Sequence, residues 1–233
     1  MFASESTTVT RPQRPALPQA LRQKVSPVIA ASARTLPVSP ALASLLPGGS
    51  IQRGTTTVIS GAPGSGVRSL GVSMVAEASS RGHWCAAIGL EDPGVVAMAE
   101  LGLDLRRTIF VPRERGVWAD AAAELADGVE MILLSPPSRV SYSAARRLVA
   151  RVRERRVALI VVTDKADRWP VPPEMKMTII SSSWHGAGLG DGCLAARRAK
   201  VLVEHRRDAM KGGPVVVWLP SSNGSVALAE ERC

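Results

Sequence analysis

The glycine-rich stretch GAPGSG, from Gly61 to Gly66, restricts the possible folds of this chain more than any other feature. It follows the β-branched run TTTVIS, which predicts a buried strand, and it precedes Val67 to Ser80, whose apolar residues recur with helical spacing. A glycine loop between a strand and a helix is the setting in which backbone N–H groups bind phosphate. The pattern therefore predicts an α/β fold with a phosphate-type loop.

The side chains that a working phosphate loop needs are missing from this stretch. Val67 and Arg68 stand where a lysine and a magnesium-binding hydroxyl belong, although a shift by one residue would put Arg68 and Ser69 in those roles. The later strand MILL ends at Ser135, where an acid is needed to hold the metal ion. Two interpretations remain, a plain strand-to-helix turn or a weakened nucleotide site. The loop residues concerned are Gly61, Gly64, Gly66, Arg68 and Ser69.

Strand and helix patterns alternate after the loop. Nearly all-apolar strands such as MILL and ALIVV are typical of a parallel sheet that helices cover on both faces. The final stretch differs, because Ala199–His205, Val215–Leu219 and Val226–Leu228 predict antiparallel strands that close one edge of the sheet. We expect a mostly parallel central sheet flanked by helices, with C-terminal antiparallel strands. Trp218, at the inferred edge, is either a partner contact or part of the core.

The chain divides by composition into an arm and a core. Residues 1–38 are rich in Pro, Ser, Thr and Ala and predict a loosely ordered arm with a short helix around Ala16 to Lys24, while residues 39–233 predict one core domain. Lys165 to Gly192 predicts a long connection that is functional or disordered. Its Trp169 and Trp184 would stack on bases, anchor a partner or pack under their own loop.

The positive charge is concentrated in one part of the chain. The net charge is +9, and residues 140–211 hold 15 Lys and Arg against 7 Asp and Glu. This surplus favours either an acidic partner or a solvated basic face. The helix pattern at Ser141 to Arg156 carries an apolar stripe surrounded by arginines. The candidate phosphate-contacting residues beyond it are Arg197, Arg198, Lys200, Arg206 and Arg207.

Several classes of protein are disfavoured by the sequence. It has no apolar run of about 18 residues that would span a bilayer, and its first residues lack the pattern of a secretory signal. Its three cysteines and three histidines follow no metal-binding spacing. We therefore expect a soluble cytoplasmic protein with no metal site and no membrane partner.

The chain resembles the RecA recombinase family in three stretches. LASLLPGGSIQRGTTTVISGAPGSGVRSL is similar to the opening of the RecA core, IGLEDP to the stretch that holds its catalytic glutamate, and LGLDLRRTIFVP to the next turn and strand. The resemblance covers roughly Leu36 to Val226 and implies a RecA-like core, with Glu91 as a vestige of the glutamate. Thr163 and Asp164 depart from the nucleotide-sensing Asn-Gln pair of RecA, and SPPSRVS leaves no room for its first DNA-binding loop.

A degenerate RecA-like chain with an arginine-rich second half is similar to the ImuA family, and more closely to the actinobacterial ImuA-prime group. The resemblance implies a non-catalytic adaptor, without cofactor, in damage-induced error-prone translesion DNA synthesis. The implied partners are an ImuB-like inactive Y-family polymerase and, through it, an error-prone DnaE-type polymerase, with weak DNA binding at the nucleoid. Two alternatives remain, an ATP-binding RecA paralogue in recombinational repair and a SulA-like inhibitor of cell division.

Overall fold

The computed structural model describes residues 34–90, 94–112, 118–187, 192–206 and 213–229. The compact unit of the chain begins at Arg34, so the predicted helix around Ala16 to Lys24 lies outside the described residues. Strand β1 (Thr35–Leu36) pairs antiparallel with β2 (Ile51–Gln52). Residues 35 and 36, which composition assigned to the arm, therefore already belong to the core.

The remaining elements follow the alternation that the sequence predicts. The helices are α1 (Pro40–Ala43), α2 (Val67–Ser80), α3 (Val95–Glu100), α4 (Trp118–Leu125) and α5 (Tyr142–Arg155). Short 3-10 turns lie at Pro47–Gly49, Leu105–Arg107 and Ala166–Arg168. The strands of the main sheet are β3 (Thr56–Gly61), β4 (Cys85–Ile88), β5 (Thr108–Val111), β6 (Met131–Leu134), β7 (Ala158–Thr163), β8 (Met175–Ala187), β9 (Gly192–His205), β10 (Val215–Trp218) and β11 (Ala227–Leu228).

The main sheet has nine strands in the order β11-β10-β9-β8-β3-β7-β6-β4-β5. All pairs from β5 to β8 are parallel, and the pairs from β8 to β11 are antiparallel. Because β3 lies between β7 and β8, the loop that follows β3 leaves the sheet near its centre. The predicted fold class, a mostly parallel sheet with C-terminal antiparallel strands, is confirmed.

The core consists of two apolar layers, one on each face of the sheet. Ile59 points into the layer that contains α2, whereas its neighbour Val58 points into the layer that contains α4 and α5. Gly71 lets α2 lie close to the sheet, since a Cβ there would come within 2.5 Å of the Val162 Cγ1. Both faces of the central strands are therefore buried, which explains their nearly continuous apolar sequences.

The prediction of a long connection from Lys165 to Gly192 was wrong for residues 175–187, which form β8. Met175, Met177 and Ile179 alternate into the core, and this part of β8 pairs with β3. The serine-rich remainder of β8 extends beyond the end of β3 and pairs, among the described strands, with β9 alone. Its described side chains are exposed, so this part of the strand does not need apolar residues. Trp169 precedes this strand and is buried, with its ring edge against Trp118 at 6.4 Å between centroids.

The C-terminal strands are part of the core as well as of the edge. Val217 and Leu219 are fully buried, and β11 pairs with β10 through Trp218 and Ala227. Trp218 therefore lies one strand in from the edge that the sequence predicted for it. None of the described helices has the length and apolar character needed to cross a bilayer.

Candidate functional site

The glycine loop has the backbone form of a phosphate loop. Gly64 and Gly66 both have positive φ values, 81° and 108°, and Gly66 caps the N-terminus of α2. The Leu70 N–H donates to the Gly66 carbonyl at 2.9 Å, which begins the helical hydrogen bonding. Positive φ values favour glycine, so both residues are explained by local geometry.

Gly61 is required by the loop itself. A Cβ at this position would lie 2.7 Å from the Ser65 Oγ and 3.1 Å from side-chain atoms of Val67 and Ile179. The loop thus folds back over the end of β3 with no space for a side chain. Its first glycine therefore serves internal packing, which does not depend on any ligand.

Arg197, on β9, closes the loop from the neighbouring strands. Its Nη1 donates to the Gly64 carbonyl at 3.1 Å, and its Nη2 donates to the Ser69 Oγ at 2.8 Å. Its Nε donates to the Leu219 carbonyl at 2.7 Å. The guanidinium therefore ties the phosphate-type loop, the first turn of α2 and the end of β10 together.

The Arg197 side chain is shielded from water, with only 6% of the residue exposed. Burial lowers the pKa of the guanidinium below its usual value, although arginine keeps its proton in proteins. The indole ring of Trp184 covers it, with the ring centroid 4.9 Å from the Arg197 Cζ. Burial of this charge is offset because three of its N–H donors are paired and an aromatic face lies against it.

The two loop residues that were candidates for nucleotide contact have different surroundings. The Ser69 hydroxyl accepts from Arg197, so it is engaged within the protein. Arg68 is exposed and lines an adjoining cleft together with Val67. The structure therefore does not present Arg68 and Ser69 as a joint pair facing one ligand. Glu91, the vestigial glutamate, lies outside the described residues.

The adjoining cleft has a volume of about 1070 Å³ and lies at the carboxyl ends of β3, β6 and β7. Ser135 and Thr163 stand at the ends of β6 and β7, where a nucleotide-hydrolysing site would need acidic and polar groups. Asp164 does lie here, but it forms an ion pair with Arg168 at 2.9 Å. The four arginines in the cleft wall are Arg68, Arg139, Arg147 and Arg168. The described part of the cleft is consequently basic, and its only carboxylates are Asp120 and Asp164.

The predicted nucleic-acid residues do not form one surface. Arg198 and Lys200 are exposed on one face of β9, whereas Arg197 points into the opposite, buried side. Arg206 lies 3.5 Å from Glu174 in an ion pair, and Arg207 is outside the described residues. Arg198 instead lies beside Trp218, its cross-strand partner on β10.

The role of Arg197 was missed at the level of sequence. One signal does point to it, because Arg197, Ala199 and Val201 alternate along a strand and the other two are small or apolar. An arginine on the apolar side of a strand needs a buried partner. Among the described residues, no group of three or more His, Cys, Asp and Glu side chains is arranged to hold a metal ion.

Comparison with known proteins finds one matching domain family and one similar mycobacterial protein. Residues 44–171, just over half of its length, match the model of the MT3502 N-terminal domain. The chain is also 38% identical over 120 residues to the uncharacterized protein Rv3395c of Mycobacterium tuberculosis, which is 50% of this chain and 56% of that protein. It thus spans about half the length of this relative. The matched domain includes the glycine loop and the arginine cleft but ends before Arg197. The chain belongs to the MT3502 N-terminal domain family.

Proposed function

We propose that the protein is a non-catalytic, RecA-like adaptor in damage-induced error-prone translesion DNA synthesis. In this role it contacts an ImuB-like inactive Y-family polymerase and, through it, an error-prone DnaE-type polymerase. The specific pathway comes from the resemblance to the ImuA family. The absence of catalysis is supported by the geometry of the loop.

The single observation that carries the non-catalytic part is the contact of Arg197 with the phosphate-type loop. Its guanidinium donates to the Gly64 carbonyl and to the Ser69 hydroxyl, so the hydroxyl that a shifted magnesium site would use is already engaged within the protein. Val67 lacks the charge of the usual lysine, and Ser135 lacks the charge of the usual acid. These features together favour a loop retained as a structural turn over a weakened nucleotide site.

A protein that acts through contacts needs an accessible surface for its partner. The strand β11 is the outer edge of the antiparallel part of the sheet, and Leu228 there is 44% exposed. An exposed strand edge accepts an added strand from another protein. Because β11 already pairs with Trp218, Leu228 is a better candidate for the edge contact than the tryptophan.

The adaptor role is tested by recovering the tagged full chain from cells after DNA damage and identifying the bound proteins. We expect the ImuB-like polymerase and the DnaE-type polymerase among them. Recovery of cell-division proteins without either polymerase would contradict the proposal and favour the SulA-like alternative. The interaction is then measured with the purified full chain and the purified ImuB-like polymerase. We expect the two proteins to co-elute in size-exclusion chromatography.

The edge contact is tested by Leu228→Asp, with Leu105→Asp as the matched control. The two leucines have similar exposure, 44% and 39%, but Leu105 precedes β5 at the opposite end of the sheet. We expect only Leu228→Asp to prevent co-elution, since a buried carboxylate would be left unpaired at the interface. Equal binding by both variants would show that the partner binds elsewhere, and the basic helix α5 is then the next surface to test.

A further inference from the structure

On one face of the main sheet, helices cover some of the strands but not β8, β9 and β10. On this face, α4 and α5 cover the strands from β4 to β3, and side chains such as Val58 are buried. Beyond β3, the same face continues over β8, β9 and β10 with exposed residues, among them Arg198 and Lys200. We call these strands' exposed side the open face. Within the described residues it is an antiparallel surface that meets solvent.

Strand register brings four functional side chains together on the open face. Arg198 lies opposite Trp218 on β10 and opposite Ser183 on β8. Lys200 lies two residues along the same strand, so it is on the same side. His185 meets Trp218 edge to face, with ring centroids 5.1 Å apart and an interplanar angle of 71°. Two cations thus flank two aromatic rings.

The cations of the open face are available to a ligand. The side chains of Arg198 and Lys200 make no hydrogen bond or ion pair with any residue that the structure describes. In the described part of this face the acidic residue is Glu204, which lies opposite Lys176, a third cation. Counted over its described residues, the open face therefore has a positive surplus, and that surplus is nearest to the two rings.

The combination of rings and cations selects one class of ligand. Phosphate groups bind to exposed arginine and lysine, and unpaired bases stack on aromatic rings. In a duplex the faces of the bases are stacked on one another, so it could use the cations but not the rings. An acidic protein segment would likewise use only the cations. From this juxtaposition we propose that the open face binds single-stranded nucleic acid.

In this arrangement Arg198 and Lys200 contact successive phosphates, and Trp218 and His185 provide a platform for a base. The inference rests on the proposed function only for its biological context, since an adaptor at a damaged template meets single-stranded DNA. The binding itself is a property of the purified chain. It is therefore tested without any polymerase.

The test measures fluorescence anisotropy of a labelled oligothymidylate with the full chain over a series of salt concentrations. We expect the double variant Arg198→Ala, Lys200→Ala to bind more weakly and to reduce the slope of log K against log salt by about 1.4, which corresponds to two phosphate contacts on a single strand. The matched control Arg81→Ala, Arg106→Ala removes the same charge away from the open face. Its slope should equal that of the unaltered protein.

The ring contribution is tested separately by Trp218→Leu, which keeps an apolar side chain on β10. We expect about tenfold weaker binding of the oligothymidylate with an unchanged salt slope, because stacking is lost and phosphate contacts remain. Since Trp218 is half-buried, His185→Ala provides a second variant at an exposed position, and its binding should weaken in the same direction. Thermal unfolding establishes that each variant is folded.

Three results would overturn the inference. The first is a duplex of the same length binding as tightly as the single strand, and the second is equal loss of slope in the control double variant. The third is unchanged affinity in both ring variants. Co-elution with the polymerase is measured in parallel, so a chain that binds the polymerase but no oligothymidylate refutes this inference and leaves the adaptor proposal standing. A chain that binds the oligothymidylate but not the polymerase refutes only the adaptor proposal.

Discussion

The guanidinium of Arg197 lies in the space that a side chain at Gly66 would fill. A Cβ at residue 66 would be 2.6 Å from the Arg197 Nη2 and 2.7 Å from its Cζ. In a nucleotide-binding loop, glycine permits close approach of a phosphate to the backbone. In this protein the approaching group is a cation from β9. Gly66 therefore permits the close approach of a positively charged guanidinium, where the glycine of a nucleotide-binding loop permits that of a negatively charged phosphate.

This contact predicts different costs for alanine at Gly64 and Gly66, the two glycines within the loop that have positive φ. Gly66→Ala should lower the free energy of unfolding by about 3 kcal/mol, because backbone strain adds to displacement of the guanidinium. Gly64→Ala meets no atom within 4 Å, so it should cost only about 1 kcal/mol from its backbone conformation. Urea unfolding followed by circular dichroism measures both values. Equal costs would mean that Arg197 does not restrict residue 66.

Arg197 itself should be far more important for stability than its neighbour. Arg197→Ala removes the donors to Gly64, Ser69 and Leu219 and leaves their oxygens partly buried, so we expect a loss of about 3 kcal/mol. Arg198→Ala, on the exposed side of the same strand, should change stability by less than about 0.5 kcal/mol. Thermal and urea unfolding of the two variants provide the comparison. A similar loss in both would show that charge alone, rather than the loop contact, is responsible.

The purified protein should not hydrolyse ATP above the background of contaminants. The phosphate charge at residue 67 and the metal-holding acid at residue 135 are both missing, and Arg197 engages the loop. For the same reasons Val67→Lys alone should not restore turnover. Phosphate release with Mg-ATP is the measurement, and the loop variant Gly66→Asp serves as the background control. Hydrolysis by the unaltered protein that Gly66→Asp abolishes would contradict this prediction.

Glu130 should make part of the stability dependent on pH. Burial by itself would raise the pKa of its carboxyl, but hydrogen bonds from His83 and the Trp84 N–H, with the charges of His83 and Arg53, outweigh burial and lower it. A carboxyl whose pKa is lower in the folded state stabilises the fold above its unfolded pKa and loses this effect as the pH falls through the folded value.

The corresponding experiment compares Glu130→Gln with the unaltered protein from pH 7 down to pH 3. At pH 7 the substitution should cost about 1 kcal/mol, the typical net value of a hydrogen bond, and the difference should shrink on acidification. Glu124→Gln, an exposed change on α4, is the control and should show no such trend. A cost for Glu130→Gln that stays constant over this range would refute the assignment.

Local patterns in the sequence account for the parallel half of the fold. The apolar strands β6 and β7 and the amphipathic helix α5 carry their signals within short windows, and the structure has them where the sequence predicts them. The same kind of pattern did not predict β8. The outer half of this strand is serine-rich, and β9 is the strand that lies beside it there. A strand with solvent on one side does not need the apolar residues from which strands are recognised.

The sequence by itself determined that two side chains of a working nucleotide site are missing. The loop from Gly61 to Ser69 has no lysine, and Ser135 stands where the acid is needed. Each of these losses can be read from the residue type at a single position. Only the tertiary structure decided what the loop contacts instead. Arg197 is separated from Ser69 by 128 residues, and it reaches the loop because β8 pairs with β3 and β9 returns beside β8. The structure of the sheet also places the neighbouring Arg197 and Arg198 on opposite faces. The guanidinium of Arg197 lies in the core, and that of Arg198 lies on the open face. Neighbouring residues of a strand point to opposite faces, and only the assembled sheet determines which face is buried.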